Sequence, residues 1–202
     1  MRKTVEELKD LAKTLRKTAV TMIYDAKAGH PSMNKCPGID ISTGSLGQGI
    51  AVANGMALAG KRDGKKYRTF VIVGDGECQE GQVWEAAEIA AKYELENLIV
   101  FVDNNGLQND GACRDIMPTQ DLRAKFEAFG WEAYRINGHC MEEIVWALDH
   151  IRGSNNGKPK AIICNTVKGK SVSFMENVPI WHGLAPNDEQ YKIAMEDIER
   201  GF

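Results

Sequence analysis

Two short apolar segments, each followed at once by a polar turn that contains glycine, constrain the fold of this chain more than any other feature. Residues 70–73 run into Gly-Asp-Gly at 74–76, and residues 98–102 run into the turn at 103–106. Apolar runs of this length are typical of strands buried on both faces of a parallel sheet. Because a helical pattern over 82–93 separates them, the segments predict a βαβ unit with both turns at one edge of the sheet.

The rest of the chain continues this alternation of helices and strands. Apolar residues recur at helical spacing from Val5 to Ile23, and Thr4 with Glu7 forms a capping box before them, which predicts a long first helix. Further helices are predicted over 46–59, 121–129, 141–151 and 187–200, and further strands over 131–136 and 161–165. The pattern predicts an α/β fold with a mostly parallel sheet and helices on both faces.

Length and composition limit the class of protein. The 202 residues, 43% of them hydrophobic, suffice for one sizeable core, so we expect one domain over residues 1–202. A net charge of -3 with mixed signs along the chain leaves no extended basic face, which argues against nucleic-acid binding. The apolar runs are too short to cross a bilayer and no apolar signal segment follows Met1, so we expect a cytoplasmic protein that does not bind membranes.

The cysteines predict a reducing compartment and no disulfide framework. There are five of them, an odd number, and no two are spaced as a Cys-x-x-Cys pair. Most should pack as small buried hydrophobic residues. Cys78 needs separate attention because it lies beside the turn at 74–76.

The residue types in the two turns favour a divalent cation. Asp75 projects from the first strand between glycines that let the backbone turn sharply, and Asn105 follows the second strand thirty residues later. With the backbone carbonyl of Leu107, they offer three hard oxygen ligands. Two diphosphate oxygens and a water would complete an octahedron suited to Mg²⁺, with Ca²⁺ as the alternative. Each turn alone has an ordinary turn sequence, and their combined spacing is what favours a site.

A third glycine-rich segment, residues 43–49, opens the helix predicted over 46–59. Glycines at a helix start leave backbone N–H groups open to an anion, which the helix dipole also favours. No strand pattern leads into this segment, so it is not the fingerprint of a dinucleotide-binding Rossmann fold. Alone it gives weak support for a phosphate site.

Two longer motifs carry a family resemblance. Gly-Asp-Gly-Glu-Cys-Gln-Glu-Gly at 74–81 and Asp-Asn-Asn-Gly-Leu-Gln at 103–108 resemble the diphosphate-binding domain of transketolases. The resemblance spans nearly the whole chain and points to the separate N-terminal subunit of transketolases that are split over two chains. It implies the thiamin diphosphate-binding fold, with thiamine diphosphate as the cofactor.

The resemblance also assigns roles to individual residues. Asp75, Asn105 and the carbonyl of Leu107 would hold the metal. The implied cofactor-binding set is Gly44, Leu46, Gly47, Gly74, Asp75, Gly76, Glu77 and Asn105. Glu80 matches an acidic residue at the subunit contact near the cofactor, and His30 and His182 match regions that hold active-site histidines, so these three are the implied catalytic residues. The competing interpretations are a solvated glutamate at a helix start for Glu80 and a turn-capping histidine for His30.

The implied reaction moves a two-carbon ketol unit from a ketose phosphate to an aldose phosphate, with the cofactor performing the chemistry. In this family the glutamate that activates the aminopyrimidine ring comes from another domain, which this sequence does not contain. A C-terminal transketolase subunit with the pyrimidine-binding domain is therefore the implied partner. We expect an assembly with two copies of each chain and contacts between like chains.

The chain departs from the family pattern after its first helix. Transketolases have two Gly-His-Pro turns separated by several dozen residues, whereas Gly-His-Pro at 29–31 here runs directly into the segment that follows the second turn. The missing stretch normally supplies a helix, a strand and histidines that contact the sugar phosphate. Two alternatives to the transketolase interpretation stay open. One is a non-catalytic thiamine-diphosphate-binding or scaffold protein, and the other is a thiamine enzyme with an altered substrate.

Overall fold

A computed structural model describes residues 3–28 and 38–201 of the chain. Its helices are α1 (Val5–Ala26), α2 (Gln48–Arg62), α3 (Gly81–Lys92), α4 (Cys113–Ile116), α5 (Leu122–Ala128), α6 (Met141–Gly153) and α7 (Asp188–Arg200). Its strands are β1 (Thr69–Gly74), β2 (Leu98–Asn104), β3 (Leu107–Gln108), β4 (Gly111–Ala112), β5 (Glu132–Asn137) and β6 (Lys160–Asn165). Short 3₁₀ turns occur at Glu77–Gln79 and Pro179–His182.

One parallel sheet contains four of these strands, in the order β1-β2-β6-β5. The register of β1 and β2 aligns Gly74 with Asp103, and the register of β2 and β6 aligns Asn104 with Asn165. The strands therefore end together at one edge, where the turns that follow β1 and β2 lie side by side. The predicted parallel sheet and its βαβ unit are confirmed.

Side chains that alternate along the strands build a separate core on each face of the sheet. Val100 and Val102 of β2 belong to the larger core with α2, α3 and α5, which also buries Phe126 and Trp131. Ile99 of β2 belongs to the smaller core with α6. Helices thus pack on both faces of the sheet, as predicted, although Phe70 and Ile72 of the edge strand β1 stay 54% and 75% exposed.

The helices α1 and α7 pack against each other. Helix α1 starts at the predicted capping box, in which Thr4 Oγ1 accepts from Glu7 N at 3.2 Å and the Glu7 carboxylate accepts from Thr4 N at 2.7 Å. A second capping box at Asn187 opens α7. The Tyr24 ring stacks on Tyr191 with 4.3 Å between ring centroids, which joins the two helices.

Local details depart from the sequence predictions. Helix α2 begins at Gln48 and not at residue 46, because Gly47 takes a left-handed conformation with φ 82°. The turn after Asn105 continues into the two-residue strands β3 and β4, which the pattern did not predict. None of the described helices is long and apolar enough to span a bilayer. His30 and the fused turn at 29–31 lie outside the described residues.

Candidate functional site

Asp75 joins the ends of β1 and β2. Its backbone N–H donates to the Asp103 carbonyl at 3.1 Å, which continues the ladder of the sheet by one residue. Its carboxylate accepts at Oδ1 from Gly76 N at 2.9 Å and at Oδ2 from Gly106 N at 2.7 Å. The carboxylate predicted from the first turn is thus in direct contact with the second turn.

The environment of Asp75 is unusual for an ionised group. The residue is only 2% exposed, and burial raises the pKa of its carboxyl, against the opposing effect of the Gly106 and Gly76 N–H groups and the Cys113 thiol. None of the ion pairs in the described part of the chain includes Asp75. A buried carboxylate without a cationic partner is stabilised by a bound cation, so this residue fits the predicted metal site.

Asn105 is oriented by its neighbours on both sides of its amide group. Its Oδ1 accepts from Leu107 N at 2.9 Å, and its Nδ2 donates to Asp103 Oδ2 at 3.1 Å. Asp103 in turn accepts from the hydroxyl of Thr166, in the loop after β6. The ends of β2 and β6 are therefore tied together beside the side chain of Asn105.

An open cavity of about 690 Å³ lies over this edge and is bordered by Asp75, by the turn at 104–107 and by Asn177. A larger groove of about 910 Å³ runs beside β1, between residues 38–43 and 67–72. The turn that follows β2 does not border this larger groove. We therefore assign the site to the smaller cavity, where the buried carboxylate and the oriented amide meet.

The donor set suits a hard cation. Carboxylate, amide and carbonyl oxygens are available at Asp75, Asn105 and Leu107, and Mg²⁺ binds few protein groups when a diphosphate supplies further oxygens. The described residues contain no cluster of three His, Cys, Asp or Glu side chains that could hold a metal by themselves. The residues present thus match a cation that is bound jointly by protein and phosphate.

The glycine-rich segment lies next to this edge and is fixed by Glu77. Gly47 caps the start of α2, and its N–H donates to Glu77 Oε1 at 2.8 Å. Gly44 and Leu46 precede it in the loop, where Leu46 is 54% exposed. The amide of Gly47, which the sequence left open to a phosphate, already has an anionic partner within the protein.

A family model described as the thiamine diphosphate binding domain of transketolase matches residues 6–199. The chain belongs to the transketolase family. The match covers almost the whole sequence and includes both turns and the glycine-rich segment.

Relatives within the transketolase family include proteins that are named as transketolase subunits. One subunit of the apulose-4-phosphate transketolase of Actinobacillus succinogenes is 43% identical over 85% of this chain and 61% of its own length. The 6-deoxy-6-sulfo-D-fructose transketolase subunit SqwG of a Clostridium species is also 43% identical, over 85% of this chain and 62% of its own length. This chain thus spans about three fifths of the length of these relatives.

Solved transketolases share the fold. The structure of transketolase from Campylobacter jejuni matches with a TM-score of 0.76 and 34% identity, over 85% of this chain and 28% of that one. The expected fold class, a thiamin diphosphate-binding α/β fold, is therefore confirmed.

Two of the three implied catalytic residues, Glu80 and His182, lie among the described residues. Glu80 is exposed at the start of α3, and its Cβ would lie 3.4 Å from a Cβ added to Gly47. His182 Nδ1 lies 3.1 Å from Lys168 Nζ, in the loop that follows β6. Their catalytic roles stay predictions.

Sequence reasoning missed two residues that organise the site. Asp103 orients the Asn105 amide, and the Cys113 thiol lies beside the Asp75 carboxylate. The position of Asp103 immediately before Asn104 and Asn105 was a usable signal, whereas nothing in the spacing of Cys113 pointed to Asp75. Cys78, which the sequence singled out because it lies beside the turn at 74–76, is 2% exposed, and burial raises the pKa of its thiol to about 12. It packs as a small buried residue, as was expected of most of the cysteines.

Proposed function

We propose that this chain is the N-terminal subunit of a split transketolase and binds thiamine diphosphate with Mg²⁺ at the carboxyl edge of its sheet. Ca²⁺ is the alternative cation. The observation that carries the proposal is the contact of the buried Asp75 carboxylate with the turn that holds Asn105, at 2.7 Å from Gly106 N. Family membership over residues 6–199 gives the same cofactor independently.

In this proposal the chain's own residues bind and orient. Asp75, Asn105 and the carbonyl of Leu107 hold the cation, and Gly76 lets the backbone come close to the diphosphate. When bound, thiamine diphosphate would supply the nucleophilic carbon needed to cleave the bond beside a ketose carbonyl group. Glu80 acts at the contact with the partner chain, and His182 acts at the mouth of the site.

A C-terminal partner subunit with the pyrimidine-binding domain completes the enzyme. Two relatives are named as subunits, and this chain spans about three fifths of their length. Exposed apolar side chains on α2 and α3, such as Val52 and Ile89, offer surface for subunit contacts. We propose two copies of each chain, with like chains in contact.

The substrate is proposed to be a ketose or ketose phosphate. One relative is named for apulose 4-phosphate and the other for 6-deoxy-6-sulfo-D-fructose. The sugars in these two names differ in their anionic group, which is a phosphate in the first and a sulfo group in the second. An altered substrate is therefore compatible with the same cofactor site. The paired cationic and imidazole groups of Lys168 and His182 are suited to an anionic substituent.

A reconstituted assay tests the proposal. The chain is mixed with the partner encoded by a neighbouring reading frame, thiamine diphosphate and Mg²⁺, and two-carbon transfer between pentose phosphates, and then from the relatives' ketoses, is measured. We expect turnover that Asp75→Ala abolishes. The matched control is Asp10→Ala, which removes an exposed carboxylate from α1 and should leave turnover unchanged.

The outcomes separate the proposal from the non-catalytic alternative. Cofactor uptake without turnover of any of these ketoses would favour a scaffold protein that has lost its substrate site. A failure of the wild-type complex to bind thiamine diphosphate at all would contradict both.

A further inference from the structure

Glu77 joins two glycine turns that are far apart in sequence, and the second of them leads directly into Asp75 of the proposed site. Its Oε1 accepts from Gly47 N at 2.8 Å, and its Oε2 accepts from Gly74 N at 3.1 Å. A single carboxylate therefore bridges the start of α2 and the end of β1. Hydrogen bonds to an ionised acceptor are stronger than neutral ones.

Both N–H groups depend on this carboxylate. In β1, Thr69 N donates to Asn97 O and Asp75 N donates to Asp103 O, so the odd-numbered residues face β2. The N–H of Gly74 points the other way, to an edge where no described strand pairs with β1.

The amide of Gly47 is equally constrained. Gly47 is buried and has φ 82°, and α2 has no side-chain cap at this position. A Cβ added there would lie 3.2 Å from the Cβ of Gln82, so the turn has little room to rearrange. Glu77 thus supplies the acceptor that a capping side chain would otherwise supply at a helix start.

We propose that Glu77 is a positioning residue that holds the Gly47 turn against the Gly74–Asp75 turn before the cofactor arrives. This inference rests on the proposed function and deepens it. Both oxygens of Glu77 are engaged within the protein, so the residue acts on the cofactor through the two glycine turns and not by direct contact. Without it, the turns would have to be ordered when the cofactor binds, which weakens binding.

The expected signature is a loss of affinity at unchanged turnover. In Glu77→Ala, the Kd for thiamine diphosphate at saturating Mg²⁺ should rise about 10-fold in the complex with the partner chain. The kcat at saturating cofactor should stay within about twofold, because the turns are ordered once the cofactor is bound. Glu77→Gln keeps one acceptor oxygen and should lie between the wild type and Glu77→Ala.

Amide exchange provides a readout that does not require the cofactor. By NMR on the chain alone, Glu77→Ala should speed the exchange of the Gly47 and Gly74 amides together, and Glu77→Gln should affect one more than the other. Glu88→Ala, which removes an exposed glutamate from α3, is the matched control and should change neither. If Glu77→Ala does not fold, Glu77→Gln decides the question.

Two results would overturn the inference. One is unchanged amide exchange at Gly47 and Gly74 together with unchanged cofactor affinity. The other is a large fall in kcat at unaltered affinity, which would make Glu77 a group that acts in the reaction itself. If the wild-type complex takes up no thiamine diphosphate, the proposed function fails, and the exchange data alone then show whether the carboxylate holds the two turns.

Discussion

The two ends of the parallel sheet bury charge in opposite ways. At the amino ends, the Lys160 ammonium is fully buried and lies 2.8 Å from Glu132 Oε2, directly across β6 and β5. Glu132 also accepts from Ser154 Oγ at 2.7 Å and from Asn156 Nδ2 at 2.5 Å. At the carboxyl ends, Asp75 is nearly as buried but contacts only N–H and thiol groups among the described residues.

The paired charges at the amino ends of the strands contribute to stability, whereas the unpaired carboxylate at the carboxyl ends is suited to binding a ligand. A buried charge costs free energy unless it is paired and hydrogen-bonded, and the Glu132–Lys160 network meets both conditions. Asp75 meets only the second, which leaves its charge available to a ligand. At the amino ends, the ion pair and its hydrogen bonds connect β5, β6 and the loop at 154–156. At the carboxyl ends, Asp75 lacks a cationic partner within the described residues, and this is the edge at which parallel sheets bind ligands.

The largest effect on stability should come from breaking the Glu132–Lys160 pair at the amino ends of the strands. Glu132→Gln leaves the buried Lys160 ammonium without its countercharge and should lower the free energy of unfolding by about 3 kcal/mol. Urea denaturation measures the change. Glu127→Gln, which breaks the exposed pair with Arg123, is the control and should cost less than about 0.5 kcal/mol. Equal losses in the two variants would contradict the distinction.

The next largest effect on stability should come from the backbone conformation of Gly47, beside the carboxyl ends of the strands. In Gly47→Ala, the side chain must adopt φ 82° and approach Gln82, which should cost about 1–2 kcal/mol. Gly55→Ala within α2 meets nothing within 4 Å and should stabilise the protein by about 0.5 kcal/mol. Thermal unfolding should show a lower midpoint temperature for Gly47→Ala and a higher one for Gly55→Ala. If both midpoints moved in the same direction, the left-handed conformation of Gly47 would not be the cause of the loss.

Removing the charge of Asp75, at the carboxyl ends of the strands, should have a smaller effect on stability. Asp75→Asn loses one acceptor oxygen but also relieves the desolvation of an ionised group, so without cofactor the free energy of unfolding should change by less than about 1 kcal/mol. Urea denaturation in the absence of divalent cations measures it. A loss as large as that of Glu132→Gln would show that the two ends do not differ.

The smallest expected effect is the dependence of the stability on acidic pH through Glu132. Burial tends to raise the pKa of Glu132, but hydrogen bonds from Lys160, Ser154 and Asn156 outweigh it and hold the pKa below its ordinary value of 4.5. A depressed carboxyl pKa contributes stability that is complete above pH 4.5 and is lost as pH falls through the folded-state pKa. The difference in unfolding free energy between wild type and Glu132→Gln should therefore narrow below pH 4.5, and a constant difference down to about pH 3 would contradict this.

The sequence was sufficient for the sheet and for the meeting of its first two polar turns. Continuous apolar runs identified β1 and β2, and the polar turn after each run predicted that the two turns would lie at one edge, where Asp75 does contact the second turn at Gly106 N. The metal-binding roles of Asp75 and Asn105 stay predictions. This worked because strand ends in a parallel sheet share one edge, so a local pattern determines a long-range contact.

Contacts without such a rule could not be predicted. Glu77 meets Gly47 across thirty residues only because α2 and the end of β1 are packed together, and no spacing indicates this pairing. Lys160 at a strand start has the sequence signature of a surface residue, and its burial depends on the loop at 154–156. The two-residue strands β3 and β4 are too short to produce an alternating pattern.

Calorimetric titration of thiamine diphosphate into the complex of this chain with its proposed partner tests whether the carboxyl edge of the sheet binds the cofactor together with a divalent cation. We expect binding in Mg²⁺, loss of binding in excess chelator, and affinity reduced by about 10-fold or more in Asp75→Asn. Equal affinity with and without a divalent cation, or in Asp75→Asn and wild type, would contradict the assignment of the carboxyl edge of the sheet as the cofactor site.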